Sequence, residues 1–222
     1  KANNDLAKHQ LKGIKQFFSS HIIKIEYKKY FWEITLKDKS IYQFKKLILT
    51  CPYPQLKTLS KKYLDKKILN LKIKMQPNIT GMLAIKNKKN SLVSSIRFDD
   101  DILTWAANEN SKNRFKSNIN LWTLQASLKW SVSKINKYKS NNKIMNELIS
   151  RFLKLTGYKK NMIIYKSIHG WKYSYNYKST KIKSYWSNKY QLGVCGDWFL
   201  GPNVEHAWLS AVSLFKEMHK KT

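Results

Sequence analysis

One stretch near the end of the chain, Tyr190–Met218, constrains the fold more than any other. It opens with a short apolar run, Leu192–Cys195, which has the length of a buried strand. The dipeptide Gly196-Asp197 then predicts a sharp turn, and a helix is expected to begin near Asn203, a residue that caps helices well. Glu205 falls in the first turn of that helix, where a negative charge suits the helix dipole.

A helix that begins directly after such a turn points its free backbone amides back over the turn. Amides in this position bind anions and cofactor groups. Asp197 is placed to accept hydrogen bonds from hydroxyl groups in the same crevice. Five apolar residues of the predicted helix are available for burial: Ala207, Leu209, Ala211, Val212 and Leu214.

The same stretch also matches a known motif, through Gly196-Asp197-Trp198, Gly201-Pro202, Val204-Glu205 and Ala207-Trp208-Leu209-Ser210. These residues resemble the C-terminal flavin motif of the FAD-dependent amine-oxidase superfamily, and in particular its renalase-like branch. The resemblance implies that Asp197 holds the ribityl chain of FAD and that the amides around Asn203 face the pyrimidine end of the flavin. The cofactor-binding residues that it implies are Gly196, Asp197, Trp198, Asn203, Val204 and Glu205.

The charge of the chain allows a different class of function. There are 43 Lys and Arg residues against 13 Asp and Glu, a formal net charge of +30, which favours binding to polyanions such as nucleic acids. Nearly all of these cations are lysines, however, and they are spread along the chain among Asn, Ile and Tyr. Because arginine is the usual reader of base edges, a solvated basic surface is the preferred interpretation.

No apolar run approaches the length of a membrane span, and no secretory signal is visible at Lys1. The two cysteines, Cys51 and Cys195, have neither a CxxC partner nor the spacing of metal ligands. The sequence therefore predicts a cytoplasmic protein with reduced thiols and no metal site.

The first third of the chain predicts a helix, a hairpin and a buried strand. Apolar residues at helical spacing predict a helix over Asn4–Phe18, and Ile22–Leu36 alternates as two strands of a hairpin. After a turn at Asp38–Ser40, Ile41–Phe44 leads into the next apolar run. The apolar run Leu47–Leu49 is typical of a strand buried on both faces. A short helix is expected over Gln55–Leu64. The turn between them, Leu49–Gln55, resembles one that lies near the adenosine side in the flavoprotein family.

From about residue 66 to 171 the pattern changes to short strands and one clear helix. That helix is predicted over Asn142–Leu155, with Gly157 just beyond its end, whereas Tyr173–Lys189 is predicted to be a loop. The strand-like runs are Ile68–Met75, Thr80–Lys86, Leu92–Phe98, Leu103–Asn108, Leu121–Ser127 and Asn161–Ile168.

Three runs in this segment resemble substrate-facing parts of the renalase-like proteins: Thr104–Asn108, Trp122–Trp130 and His169–Tyr173. The first two resemble neighbouring strands. In the third, Lys172 stands where the family has Arg, which removes a bidentate anion clamp. The resemblance implies that the substrate is bound by Trp105, Asn108, His169 and Trp171.

The chain has no G-x-G-x-x-G turn, and it contains only 7 glycines. Such a turn opens the dinucleotide-binding half of this family. We therefore expect the chain to be the C-terminal part of a longer flavoprotein that binds FAD weakly or not at all by itself. Loss of partner strands would also favour self-association.

The predicted fold is mixed, α+β or α/β. It comprises an incomplete FAD-binding domain, made of a β-meander and the C-terminal strand–turn–helix, and a substrate domain with a mixed or antiparallel sheet covered by helices. The predicted limits are 1–62 and 173–222 for the FAD-binding parts and 63–172 for the substrate domain.

No hydrolase, metalloprotease or nucleotide-triphosphate motif is present, so a cofactor would have to carry the chemistry. The resemblance implies an FAD-dependent oxidoreductase that oxidises a dihydronicotinamide-type or amine small molecule by hydride transfer to flavin, with reoxidation by O₂. Two alternatives are a basic nucleic-acid-binding or photolyase-like protein, whose Tyr and Trp residues would stack bases, and a non-catalytic remnant that binds a partner.

Overall fold

The computed structural model describes residues 5–86, 93–114 and 118–220. The chain forms two compact units, each made of two separate parts of the sequence. The first unit comprises residues 1–14 and 76–174, and the second comprises residues 15–75 and 175–222. Within the described ranges, every helix is too short or too polar to cross a membrane. The assignment of FAD-binding and substrate domains to parts of the chain stays a prediction.

Runs of consecutive strands are separated by helices, as in a mixed α and β fold. The strands are β1 (Ile22–Lys28), β2 (Phe31–Leu36), β3 (Ile41–Phe44), β4 (Leu47–Leu49), β5 (Gln76–Lys86), β6 (Ser95–Arg97), β7 (Leu103–Asn108), β8 (Ile119–Ala126), β9 (Ile163–Tyr175), β10 (Tyr185–Ser187) and β11 (Leu192–Val194). The α-helices are α1 (Asp5–Gln10), α2 (Tyr53–Ser60), α3 (Lys66–Leu69), α4 (Leu128–Lys134), α5 (Asn142–Thr156) and α6 (Val204–Met218).

The first sheet of the second unit is an antiparallel meander of β1, β2 and β3. The predicted hairpin is confirmed, because β1 and β2 pair through a tight turn at Lys29 and Tyr30. Both turn residues have positive φ, as a two-residue hairpin turn requires. The indole N–H of Trp32 donates to the backbone oxygen of Tyr190 at 2.8 Å. The buried side chains of this sheet are Ile25, Trp32, Ile34 and Leu36.

The second sheet of this unit has the order β10-β11-β4, with β11 antiparallel to β10 and parallel to β4. The parallel register places Leu192 beside Leu47 and Val194 beside Leu49, and all four side chains are buried. Burial on both faces of β4 was predicted, and this is wrong for Ile48, which is 47% exposed. The physical reason is that β4 is the last strand of its sheet in the described part of the chain, so that a neighbouring strand flanks Ile48 on one side only.

The first unit contains a five-stranded sheet with the order β6-β7-β8-β5-β9. The pairs β6–β7, β7–β8 and β8–β5 are antiparallel, so the predicted antiparallel sheet is present. Helix α5 confirms the predicted Asn142–Leu155 helix, and Gly157 follows it with φ +77, as predicted for a helix C-terminus. The core side chains that α5 contributes are Ile144, Leu148, Ile149 and Phe152.

Two predicted elements are shorter or of a different type than expected. The predicted helix over Asn4–Phe18 is limited to α1, since Gly13 has φ +82 and the following residues are not helical. The strand predicted over Ile68–Met75 is wrong, because Ile68 lies in α3. The hydroxyl of Tyr53 donates to the backbone oxygen of Ile68 at 2.8 Å, which helps to hold the start of this segment as a helical turn. Residues 71–75 have no regular secondary structure.

The boundary between β8 and α4 corrects the strand-like interpretation of Trp122–Trp130. The strand ends at Ala126, and the Ser127 hydroxyl accepts the backbone amide of Trp130 at 3.2 Å, which caps the start of α4. The loop predicted over Tyr173–Lys189 also contains strand residues, at the end of β9 and in β10. The start of the run predicted at Leu92 lies outside the described residues, and β6 begins at Ser95.

A charged contact stabilises the turn before β7 in the first unit. Arg151 on α5 forms an ion pair with Asp100, whose side chain is almost fully buried. The Oδ1 atom of Asp100 accepts the amides of Ile102 at 3.0 Å and Leu103 at 2.9 Å. The hydrogen bond from Arg151 lowers the pKa of Asp100 to about 2; desolvation opposes this shift, and the two amides assist it.

We expect Asp100→Asn to lower the free energy of unfolding at pH 7 by about 1–2 kcal/mol, since a charge-assisted bond becomes a neutral one. The stabilisation is fully present above the unfolded pKa of 3.8 and is lost as pH falls toward 2. The variant and the wild type should therefore converge between pH 4 and about pH 2. Urea titrations across that range measure the difference, and Asp99→Ala, at an exposed neighbour, is the control. A difference that is constant with pH would contradict the ion-pair explanation.

Candidate functional site

The predicted strand, turn and helix are all present in the second unit. β11 leads through Gly196 into a 3-10 turn, Asp197–Phe199, and α6 begins at Val204. The backbone oxygen of Asp197 accepts the amide of Leu200 at 2.9 Å and that of Gly201 at 2.7 Å. These two bonds close the loop, so that Asp197 and the start of α6 are held on one compact corner.

Ser210 fixes α6 against this corner. It is fully buried, and its hydroxyl accepts the amide of Gly196 at 3.0 Å and donates to the backbone oxygen of Lys183 at 2.6 Å. Ser210 belongs to the motif that carries the family resemblance, and these two hydrogen bonds explain why a serine is needed at this position of the motif. The corner, the helix and the segment before β10 are thereby joined through one side chain.

Trp198 points into the core and not into solvent. It is 1% exposed, stacks on Phe199 with ring centroids 3.8 Å apart, and lies 5.3 Å from the ring of Tyr53. Its indole N–H donates to the backbone oxygen of Cys51 at 3.2 Å. A Cβ atom on Gly196 would come within 2.8 Å of the Trp198 Nε1 atom, so glycine is needed there for the indole to pack.

The carboxylate of Asp197 lies in a partly buried position. Burial raises its pKa above the ordinary value, whereas the backbone amide of Trp198 and the nearby His206 oppose that rise. A carboxylate that is held away from water gains more from a hydrogen-bond donor on a ligand than an exposed one does. Asp197 is thus in a position suited to accept hydroxyl donors.

The start of α6 is open to a ligand. Asn203 occupies the N-cap position, as predicted, but its side chain makes no capping hydrogen bond. The first amides of a helix have no acceptor within the helix, so those of α6 can donate to an oxygen outside it. Glu205 and Val204 are exposed at this point. The structure therefore places all six predicted cofactor residues on this corner, five around the turn and helix start and Trp198 beneath them.

His206 was not predicted as a site residue. Its Nδ1 atom is buried and has no hydrogen-bond partner in the described part of the chain. It lies against Gly201, which has φ +144, and a Cβ atom there would approach that nitrogen to 2.8 Å. The only sequence signal was a histidine in the first turn of the predicted helix, which does not show that its ring folds back toward Asp197.

The turn after β4 lies beside the corner. The amide of Cys195 donates to the backbone oxygen of Leu49 at 3.3 Å, and the Trp198 indole reaches Cys51 in the same turn. Both cysteines are free thiols, and burial raises the pKa of each above its ordinary value. This turn therefore lies beside the corner, and its expected place near the adenosine side of the cofactor stays a prediction.

The predicted substrate residues belong to the first unit, on strands β7 and β9. Asn108 is fully buried, and its Oδ1 atom accepts the amide of Asn110 at 3.1 Å, which caps the turn after β7. Trp105 is partly buried and pairs with Gln125 of β8. His169 and Trp171 lie on β9, and the strands β8 and β5 separate β9 from β7. The strand that carries Trp105 and Asn108 is therefore about three strand spacings, roughly 14 Å, from the strand that carries His169 and Trp171.

His169 and Trp171 form a small aromatic wall on β9. Their ring centroids are 4.4 Å apart, and Trp171 is 53% exposed. As alternate residues of one strand they share a face. The Lys172 ammonium is 5.7 Å from the ring centroid of Tyr173. Exposed aromatic side chains of this kind can stack against a planar ring.

Several solved structures share this fold, although no family model matches the sequence. A candidate protoporphyrinogen oxidase from Exiguobacterium sp. 255-15 superposes with a TM-score of 0.68 at 8% identity, over 96% of this chain and 50% of that one. An engineered putrescine oxidase with redesigned cofactor binding gives a TM-score of 0.66 at 7% identity, with coverages of 96% and 50%. An oxidoreductase from Methanosarcina mazei gives 0.60 at 13%, with coverages of 89% and 49%.

Likeness at such low identity shows a common fold alone, a mixed fold of helices and several sheets, which confirms the predicted fold class at that level. The chain spans about half the length of the solved structures that it matches.

Proposed function

We propose that this chain is the C-terminal part of an FAD-dependent oxidoreductase and holds the flavin end of the cofactor. The observation that carries the proposal is the corner itself, where the half-buried Asp197 carboxylate lies beside the uncapped start of α6. The chain also shares its fold with solved oxidoreductases and spans about half of their length, which supports the same conclusion. Those matches do not favour the nucleic-acid alternative.

The residues of the corner fit the ribityl and pyrimidine parts of the cofactor. Asp197 would accept hydrogen bonds from ribityl hydroxyls, and the first amides of α6 would donate to the pyrimidine oxygen. The unpartnered Nδ1 atom of His206 adds a polar group at the same place. FAD, when bound, would accept a hydride from the substrate and return the electrons to O₂.

The renalase-like resemblance narrows the substrate class to a dihydronicotinamide-type or amine small molecule. His169 and Trp171 would then stack against the substrate ring and exclude water from it. Trp105 and Asn108 stay proposed substrate contacts, although the Oδ1 atom of Asn108 already accepts the backbone amide of Asn110. A cytoplasmic location is part of the same proposal.

The test is to purify the protein as its gene encodes it from the start codon and to record its absorption spectrum. We expect a flavin band that is bleached on addition of a dihydronicotinamide or an amine and that returns on exposure to air. The 222-residue chain alone should show little or no band. A colourless complete protein that takes up no added FAD would overturn the proposal.

Replacement of Trp171 tests the aromatic wall. We expect Trp171→Ala to raise KM about tenfold, equivalent to about 1.4 kcal/mol of lost stacking. The free energy of unfolding should change by less than about 0.5 kcal/mol, because the side chain is half exposed. Tyr165→Ala, an exposed aromatic residue on the same strand, is the matched control. Equal effects of the two variants on KM would contradict the proposed role.

A further inference from the structure

His206 lies in the first turn of α6, on the corner that carries Asp197. It is not one of the residues that carry the family resemblance, because the motif is matched by Val204-Glu205 before it and by Ala207 after it. The resemblance therefore assigns no role to this imidazole, and any role must follow from its surroundings.

One edge of the imidazole faces Gly201. A Cβ atom built on Gly201 would lie 2.8 Å from the Nδ1 atom of His206 and 2.9 Å from its Cε1 atom, but 3.9 Å from its Cγ atom. Nε2 is not one of the three nearest atoms, so it lies at least as far away as Cγ. The Nδ1–Cε1 edge therefore contacts the loop before α6, and Nε2 lies on the side of the ring away from Gly201.

The two ring nitrogens of His206 have different surroundings. Nδ1 is buried and has no hydrogen-bond partner in the described ranges. Nε2 also makes no hydrogen bond to a described residue, but unlike Nδ1 it is open to solvent. The imidazole thus presents one enclosed nitrogen to the loop and one accessible nitrogen to the outside of the corner.

These surroundings determine which nitrogen carries the proton in the neutral ring. Glycine has only a hydrogen where other residues have Cβ, so a C–H group of Gly201 faces Nδ1. A nitrogen lone pair is tolerated against a C–H group, whereas an N–H there would be a buried donor without an acceptor. The proton is therefore on Nε2, which is a hydrogen-bond donor at the accessible edge of His206.

The imidazole belongs to the same corner as the Asp197 carboxylate. The amide of Gly201 donates to the backbone oxygen of Asp197 at 2.7 Å, and the ring of His206 lies against that glycine. Burial raises the pKa of Asp197, and the charge of His206 opposes that rise, as expected for neighbouring groups. The corner therefore combines one carboxylate acceptor with two kinds of donor, the Nε2–H group and the first amides of α6.

We propose that His206 is a cofactor-binding residue whose Nε2–H group donates a hydrogen bond to the pyrimidine oxygen of the flavin, beside the first amides of α6. The proposal rests on the proposed function, since it concerns the same cofactor site. Asp197 accepts the ribityl hydroxyls, so the donors of the corner are left for an oxygen that only accepts. A donor stabilises such an oxygen more strongly when the oxygen carries more negative charge. His206 would therefore favour the reduced cofactor, whose pyrimidine end is the more negative.

The test titrates the flavin-free complete gene product with FAD and measures the midpoint potential of the bound flavin. We expect His206→Leu to raise the dissociation constant about 5–10-fold, as for the loss of one hydrogen bond, and to lower the potential. His206→Gln should restore most of both quantities, because its amide nitrogen takes the place of Nε2. His206→Asn, whose amide corresponds to Nδ1, should behave like His206→Leu.

His219→Leu is the matched control, because it removes an exposed histidine just beyond the end of α6 and should leave both quantities unchanged. If His206→Leu lowers the thermal midpoint of the flavin-free protein, the comparison of His206→Gln with His206→Asn decides, since both keep a polar amide.

Two results would overturn the proposal. Equal affinity and potential for His206→Leu and the wild type would remove His206 from the site. A loss that His206→Gln shares in full would mean that the imidazole acts through its charge or its packing on Gly201, and not as a donor. Either result leaves a wild type that binds FAD and so retains the proposed function, whereas a wild type that takes up no FAD refutes both.

Discussion

Trp198→Ala is expected to lower the free energy of unfolding of the second unit by about 3–5 kcal/mol, the range for a buried tryptophan replaced by alanine. The indole is fully buried and loses its stacking on Phe199 and its contact with Tyr53. The backbone oxygen of Cys51 also loses its donor. Urea unfolding followed by far-UV circular dichroism measures the difference.

Trp208→Ala is the matched control, since it removes the same side chain from an exposed position on α6. Its effect should stay within about 0.5 kcal/mol. Trp198→Phe should fall between the two, because it keeps an aromatic ring but leaves the Cys51 oxygen without its donor. Similar losses for Trp198→Ala and Trp208→Ala would mean that Trp198 does not join the corner to the turn after β4.

The sequence was most informative where one local signal was strong. The alternation over Ile22–Leu36 and the apolar face of Asn142–Leu155 each repeat a pattern often enough to determine an element type. The segment Ile68–Met75 was assigned wrongly because a short apolar run fits either type. There the deciding interaction, the Tyr53 hydroxyl, comes from a residue 15 positions away.

At the candidate site, composition and order predicted the corner but not the direction of its side chains. The turn at Gly196-Asp197 and the helix start that follows it could be predicted from neighbouring residues alone, and both are present in the structure. The inward orientation of Trp198 depends on its contact with Cys51, and the role of Ser210 depends on Lys183. Leu209 and Ala211, which the sequence makes available for burial, are exposed. The hydrophobicity of a residue does not show whether another element packs against it.

Asp197→Ala is expected to weaken FAD binding by the complete gene product about 10–100-fold, because bonds to a charged acceptor contribute about 1.5–3 kcal/mol. Titration of the flavin-free protein with FAD, followed by flavin fluorescence, measures the dissociation constant. Asp99→Ala, which removes an exposed carboxylate from the other unit, should leave that constant unchanged. Equal affinity of wild type and Asp197→Ala would remove Asp197 from the site.

Asp197→Asn separates a functional role from a structural one. Because burial raises the pKa of Asp197, the ligand-free protein should lose stability as pH rises from 3.8 through the folded pKa. A neutral amide avoids this penalty, so the variant should have a higher thermal midpoint at pH 7 than the wild type while it binds FAD more weakly. A residue kept for the fold alone would show the reverse, a lower midpoint with unchanged affinity. A carboxylate that lowers the stability of the ligand-free protein but strengthens ligand binding is the pattern expected of a binding site.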